Sequence, residues 1–381
     1  MQSSQPRLFT PFRLRGVALK NRVVISPMCQ YSSADGFAND WHLVQLGRFA
    51  LGGAGLIFTE AAAVSAEGRI THGDLGIWSD KHIPGLRRLS EFIKSQGAVP
   101  AIQLAHAGRK GSSQRPWHGG AALGEADEIE RGEAAWPTVA PSPLPVSENA
   151  PPPRELTEAD LAGIKHEFQA AAARALQAGF DVIELHCAHG YLLHEFLSPL
   201  ANARSDQYGG ELANRCRFPL EVARLLRESW PQEKPMFVRI SAVDGVDGGW
   251  TVDDSVYFAD RLKALGIDVV DCSSGGLAGS ATAARVPRGL GFQVGFAEAV
   301  RRRSDIATMA VGLILEPEQA ETILENGQAD LIAIAREALF NPNWTLHAEQ
   351  QLRGEPVFDQ WPEQAGWWLA NRARTLAKLK S

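Results

Sequence analysis

Eight short apolar segments recur along this chain, each followed by loop residues and most by a longer stretch with helical spacing. They occupy residues 23–27, 55–59, 99–104, 181–185, 236–240, 268–271, 307–311 and 330–334. They are β-branched-rich and continuously apolar rather than alternating, the pattern of parallel strands covered on both faces. Amphipathic helices lie between them. Residues 156–177 open with Thr157 as N-cap and Asp160 at the third helical position, a capping box with Asp in place of Glu. Gly179 follows as the residue just past the C-cap. Residues 209–229 and 251–265 repeat the theme. Eight strand–helix units predict an α/β chain folded as a (β/α)8 barrel, one domain over all 381 residues. A doubly wound open sheet is the alternative. No G-x-G-x-x-G follows a strand at a helix start, so a Rossmann dinucleotide site has no support.

One connection breaks the rhythm. Residues 107–154 separate the third segment from the next helix and hold seven prolines between Pro137 and Pro153. A loop of that length reads as a lid over the barrel mouth, with a surface embellishment or short hairpin as the other reading.

Composition narrows the class. Hydrophobic residues make up 45% and charged residues 22%, as in soluble globular enzymes. A net charge of −6 argues against a general nucleic-acid binder. No apolar run reaches the ~18 residues of a membrane span, and the N-terminus MQSSQPRLF lacks a signal-peptide core. Cys29, Cys187, Cys216 and Cys272 are scattered with no C-x-x-C, which disfavours zinc ribbons and iron–sulfur clusters. Four reduced thiols in the cytoplasm are expected.

The densest chemistry lies at residues 181–199, DVIELHCAHGYLLHEFLSP. A strand delivers His186, His189 and then Tyr191 at its C-terminal end, where barrels keep their active sites. Two imidazoles and a phenol can polarise an oxygen and deliver a proton. The histidines are three apart and face opposite sides of a strand, so they converge only if the chain turns helical there. H-x-x-H also suits zinc, with Glu184, His106 or His72 as further ligands. The first strand ends in Ser26, Pro27, Met28 and Cys29, followed by Tyr31, a setting for a flat aromatic cofactor or a plain core cysteine. Gln103 and Arg239 sit on apolar strands and need partners: each other, a carboxylate such as Glu184, or a heterocycle edge. Gly312 and Arg336 follow the seventh and eighth strands, where barrels bind phosphate.

These motifs together resemble one family. LFTPFRLRGVALKNRVVISPMCQYS, GRITHGDLGIW, IQLAHAGRK, HCAHGYLLHEFLSPLANARSDQYGG and NRCRF occur in order across residues 8–343. The chain is similar to the Old Yellow Enzymes, FMN-dependent NAD(P)H ene-reductases. Within them it is nearest the thermophilic-like branch of NADPH dehydrogenases and xenobiotic reductases. The resemblance implies that Ser26, Pro27, Met28, Cys29 and Ala61 lie along FMN, with Cys29 near N5. It implies that Gln103 and Arg239 hold the pyrimidine edge and that Gly312, Ala335 and Arg336 hold the phosphate. It makes His186 and His189 the hydrogen-bond donors to a substrate carbonyl or nitro oxygen, Tyr191 the proton donor and Tyr31 a cover over the substrate. The implied reaction is ping-pong: NADPH or NADH reduces the flavin, leaves, and an electron-poor alkene takes its place. A homo-oligomer, dimer or tetramer, is implied as well. Two positions depart from the branch. Ala335 stands where a glycine is usual, and Ala365 stands where many members send an arginine into a neighbouring active site. In the tail, residues 344–381, Trp361, Trp367 and Trp368 either reach across an interface or bury against the chain's own barrel. A metal-dependent hydrolase and a non-catalytic flavin-storage protein are the alternatives. The first leaves Arg336 and the 26–29 segment unexplained; the second has no need of a proton donor.

Overall fold

The computed structural model describes residues 5–277, 286–354 and 357–380. All eight expected strands form and pair in parallel: β1 (Val23–Ile25), β2 (Leu56–Ala63), β3 (Val99–Ala105), β4 (Val182–Cys187), β5 (Met236–Ser241), β6 (Val269–Ser273), β7 (Ala307–Ala310) and β8 (Leu331–Ile334). Their order follows the sequence, and β8 pairs with β1, which closes the sheet. Eight helices wrap it: α1 (Asp40–Leu51), α2 (Ile83–Ser95), α3 (Glu158–Gln177), α4 (Leu212–Ser229), α5 (Val252–Ala264), α6 (Val294–Ser304), α7 (Pro317–Glu325) and α8 (Trp344–Arg353). The fold is a (β/α)8 barrel. Helix α3 begins two residues later than the periodicity suggests because Thr157 is a true N-cap: Asp160 N donates to its Oγ1, and Thr157 N donates back to Asp160 Oδ2 at 2.8 Å. The open-sheet alternative fails on the β8–β1 pairing.

Residues alternate between the barrel interior and the helix layer. Leu56, Phe58, Ala101, Val182, Phe237, Val269 and Leu331 point inward and form their own apolar cluster. Leu14 and Leu19 join it from a hairpin, Phe12–Leu14 with Val17–Leu19, that closes the bottom of the barrel. Ile57, Ile183, Leu185, Val238 and Val270 point outward into the larger core beneath the helices.

Strand β2 carries a bulge. Phe58 pairs with Ala101, but the next pair is Ala61 with Gln103, so β2 holds one residue more than β3. The extra residue shifts the alternation, and Ala61 faces inward where Glu60 otherwise would. Glu60 instead turns toward α1. There its Oε1 meets His42 Nε2 at 3.1 Å, and its Oε2 accepts from Gln30 N at 2.8 Å.

The long excursion is partly structured. It contains a helix, Glu125–Arg131, and a two-residue strand, Val139–Ala140, that pairs in parallel with Arg154–Glu155. A bridge joins Ser113 to Ala122. Beyond α8 the tail forms α9 (Glu363–Lys380), which includes Ala365. Trp367 and Trp368 on it are mostly exposed, so the chain's own barrel does not bury them. Trp361 packs beside His347 and Phe358. Among the described residues, no helix is long and apolar enough to cross a membrane.

Candidate active site

The upper part of the interior reverses the chemistry of the lower. Two residues further along the strands, the inward positions are Gln103 on β3, Glu184 on β4, Arg239 on β5 and Asp271 on β6, all buried. Arg239 is the register partner of both His186 and Asp271. Its Nε lies 3.0 Å from Asp271 Oδ2. Gln103 Nε2 donates to Glu184 Oε1 at 2.8 Å. Arg239 therefore takes Asp271 as its carboxylate, not Glu184, and Gln103 does not pair with Arg239. Asp271 escaped the sequence reading because a single aspartate inside an apolar strand reads as a strand-end residue; its spacing of two from Ser273 was the available signal.

Strand β4 runs through His186 to Cys187, further than the apolar run alone predicts. The two histidines converge without a helix. His189 adopts φ +61° and Gly190 φ +72°, and this left-handed turn swings the chain back over the barrel. The turn rests on the loop after β6: a Cβ on Gly190 meets Gly276 O at 2.4 Å, and one on Gly276 meets His189 Cα at 2.8 Å. Glycine at both positions permits the approach. The ring centroids of His186 and His189 are 5.2 Å apart, and those of His186 and Tyr191 are 5.1 Å apart. Tyr191 is the N-cap of a short helix, Leu192–Leu197.

The hydrogen bonds set the protonation of these groups. Ala188 N donates to His186 Nδ1 at 3.1 Å, so the neutral ring carries its proton on Nε2. His189 Nε2 meets Ser273 Oγ at 2.7 Å; when the hydroxyl donates there rather than to Gln293 Oε1 at 3.4 Å, Nδ1 carries the proton. Burial, followed by the nearby Arg239 charge, holds both imidazoles well below the usual histidine range. Burial, with Cys29 and Asp74 adding to it, pushes the Tyr191 phenol well above its ordinary value. Both rings are thus neutral N–H donors, and the phenol keeps its proton.

Lys110 lies behind this set. Its Nζ donates to His189 O at 2.8 Å and to Gly276 O, and stands 5.6 Å from the Tyr191 ring centre. Burial lowers its pKa to about 7, against an upward pull from Glu195. Lys110 lies within the motif IQLAHAGRK, but its spacing does not mark it as a site residue.

The other expected residues gather at the same mouth. Ser26 is buried at the end of β1, with an unpartnered Oγ. Pro27, Met28 and Cys29 follow it half-buried. The Cys29 thiol is raised by burial first and by Glu60 and Asp74 next, with hydrogen bonds from the Ala61 backbone and Tyr31 opposing. Tyr31 sits at φ +51°, its carbonyl accepting from Arg115 Nε at 3.0 Å and its ring edge-on to Trp117, 5.9 Å between centroids. One cavity of about 240 Å³ is lined by His189, Arg239, Gly312, Ala335, Arg336 and Arg288. Gly312 has φ +121°, and a Cβ there lies 2.9 Å from Gln293 Nε2. Ala335 has φ −121°, so its methyl group meets no left-handed penalty. Arg288, a second cation at this end, was not expected; it follows a segment with no periodic signal.

The metal alternative finds no ligand set. Among the described residues, no three of His, Cys, Asp and Glu gather to hold an ion. His72 Nε2 is bound to Ala134 O, and His106 Nδ1 accepts from Gly108 N.

A sequence profile described as the NADH:flavin oxidoreductase / NADH oxidase family matches residues 7–355. The chain belongs to this family. It is 47% identical over 362 residues to the NADPH dehydrogenase of Geobacillus sp. (strain WCH70), an alignment that spans 94% of this chain and 98% of the relative. Morphinone reductase superposes with a TM-score of 0.75 at 27% identity, over 93% of this chain and 91% of its own. The chain spans about half of 2-naphthoyl-CoA reductase, 54% of its length and 94% of this chain, with a TM-score of 0.80. At 23% identity that likeness speaks for the fold alone. The chain is an oxidoreductase of the flavin type, and FMN is its cofactor. The residues fit that cofactor: an unpartnered Ser26 Oγ at the end of β1, the buried Gln103 amide and Arg239 guanidinium, and a cavity lined by Gly312, Arg288 and Arg336.

Proposed function

We propose that this protein is an NAD(P)H-dependent ene-reductase acting on alkenes conjugated to a carbonyl or nitro group. The observation that carries this reading is the convergence of two neutral imidazole donors and one protonated phenol on a single strand end, beside the Arg239 guanidinium. When bound, FMN would supply the hydride chemistry between the nicotinamide and the β-carbon of the alkene. His186 Nε2–H and His189 Nδ1–H donate to the substrate oxygen and stabilise negative charge as it develops there. Tyr191 delivers the proton to the α-carbon. Gln103 and Arg239 hold the pyrimidine edge, and Arg239 balances the charge of the reduced cofactor. Ser26, Pro27, Met28, Cys29 and Ala61 line the flavin, and Gly312, Ala335 and Arg336 hold its phosphate. Tyr31 closes over the substrate, with the 107–154 excursion as its frame. Nicotinamide and alkene use the same space in turn, which makes the cycle ping-pong.

The dehydrogenase relative supports NADPH as the donor. Exposed Trp367 and Trp368 support a homo-oligomer formed through α9. Four unpaired cysteines support a cytoplasmic location.

Anaerobic stopped-flow tests the reading. NADPH should bleach the flavin, and 2-cyclohexenone should restore the colour. Bleaching without recovery would reduce the protein to a flavin reductase or store. A colourless protein that takes up no FMN would end the proposal.

A further inference from the structure

Immediately below the histidines, two carboxyl groups share one guanidinium. Glu184 and Asp271 are fully buried, and Arg239 nearly so. Asp271 has Arg239 beside it. Glu184 has no cation of its own: its Oε1 accepts from Gln103, and its Oε2 has no partner. The groups facing it are few. Gln103 flanks it on β3 and Phe237 on β5, His186 stands two residues above, and Arg239 and Asp271 act on it across the layer. The floor beneath is the apolar cluster that contains Phe58 and Phe237. That floor offers only apolar side chains. Two ionised acids against one cation leave an uncompensated charge in a buried layer, which is costly and is relieved by taking up a proton.

The acid without a cation is the one to protonate. Burial raises the Glu184 carboxyl well above its usual range, Asp271 adds to this, and Arg239 opposes it. The His186 ring, kept neutral, contributes no compensating charge.

We propose that Glu184 is a positioning residue that works as a neutral carboxylic acid. It fixes the Gln103 amide by its N–H end and places no second anion beside the Arg239–Asp271 pair. The proposal rests on the reading that Gln103 and Arg239 hold the pyrimidine edge of FMN. An amide can present either end; held at its nitrogen by Glu184, Gln103 keeps its carbonyl available to accept from another partner. An ionised Glu184 would compete for Arg239 and repel a reduced, anionic cofactor.

Three variants test this on the purified protein. The readouts are FMN affinity by fluorescence quenching, the midpoint potential, and the infrared carbonyl band of a protonated carboxylic acid at neutral pH. Glu184→Gln should remove part of that band and leave both potential and affinity near wild type, since one neutral group replaces another of equal size. Asp271→Asn should raise the potential, because Arg239 loses its anion. Glu184→Leu cannot accept from Gln103 and should weaken FMN binding about two- to tenfold, the net worth of one hydrogen bond.

Two outcomes overturn the proposal: a Glu184→Gln protein whose acid band is unchanged, or one whose potential rises as far as that of Asp271→Asn. Both are read on a variant of nearly native shape, so they stand even if Glu184→Leu does not fold. Failure of the wild-type apoprotein to bind FMN would instead break the underlying reading.

Discussion

In its lower half, the inside of the barrel holds Leu56, Phe58, Ala101, Val182, Phe237, Val269 and Leu331, and Leu14 and Leu19 close it from beneath. Two residues further along the same strands, it holds Gln103, Glu184, Arg239 and Asp271. Both halves follow one inside–outside alternation and are equally buried. They differ in what a side chain needs there. In the lower half a residue needs only volume, and transfer from water supplies the stability. In the upper half each residue needs a particular partner, and a missing partner costs more than a missing contact. The lower half should therefore govern stability, and the upper half function.

Four changes test that division, from the largest effect to the smallest. Tyr191→Phe should slow alkene reduction about a hundredfold or more, the contribution of a general acid, while reduction of the flavin by NADPH stays near wild type. Stopped-flow of the two half-reactions checks this, and equal loss in both would refute the role. Phe237→Ala should cost about 3–5 kcal/mol in denaturant unfolding. The protein that remains folded should keep its turnover; a large fall in kcat would blur the boundary between the halves. Ser273→Ala should lower kcat/KM for enones by about tenfold, the order of one hydrogen bond to a polarising group. The loss follows from freeing His189 Nε2 to carry the proton that Nδ1 needs, and it should spare FMN affinity.

The smallest effect concerns pH. Burial pushes the Glu195 carboxyl up to about 8, against the pull of Arg109 and Lys110. The folded chain thus keeps a proton that the unfolded chain releases near 4.5, the ordinary value for a glutamate. Its contribution to stability is complete below that value and is lost as pH rises through about 8. Glu195→Gln should flatten this part of the stability curve, so melting scans from acid to mildly alkaline pH should show a smaller decline in Tm than in wild type.

The lower half was nearly all legible in the sequence. Apolar, β-branched runs mark each strand, and period two assigns their faces. Residues with strong chemistry on apolar strands, Gln103 and Arg239, were legible for the same reason: they violate the pattern. Three things were not. The partner of Arg239 depends on which strands are neighbours, and Asp271 lies 32 residues away on β6. The convergence of His186 and His189 depends on a left-handed residue that is not glycine, which no periodicity announces. The reach of Lys110 under His189 depends on a loop crossing from β3 to β4.

The bulge in β2 has a consequence of its own. A strand normally commits every second residue to one side, so neighbours in sequence never serve the same side of the sheet. One surplus residue restarts that count. Below it, Phe58 belongs to the barrel's interior; above it, Ala61 does, three places on instead of two or four. Glu60 is released from the cavity to brace the backbone of Gln30 from outside. Were the same residues paired without the bulge, Ala61 would turn toward the helices and Glu60 toward the cofactor. In this stretch the reading frame of the strand matters as much as the letters it contains.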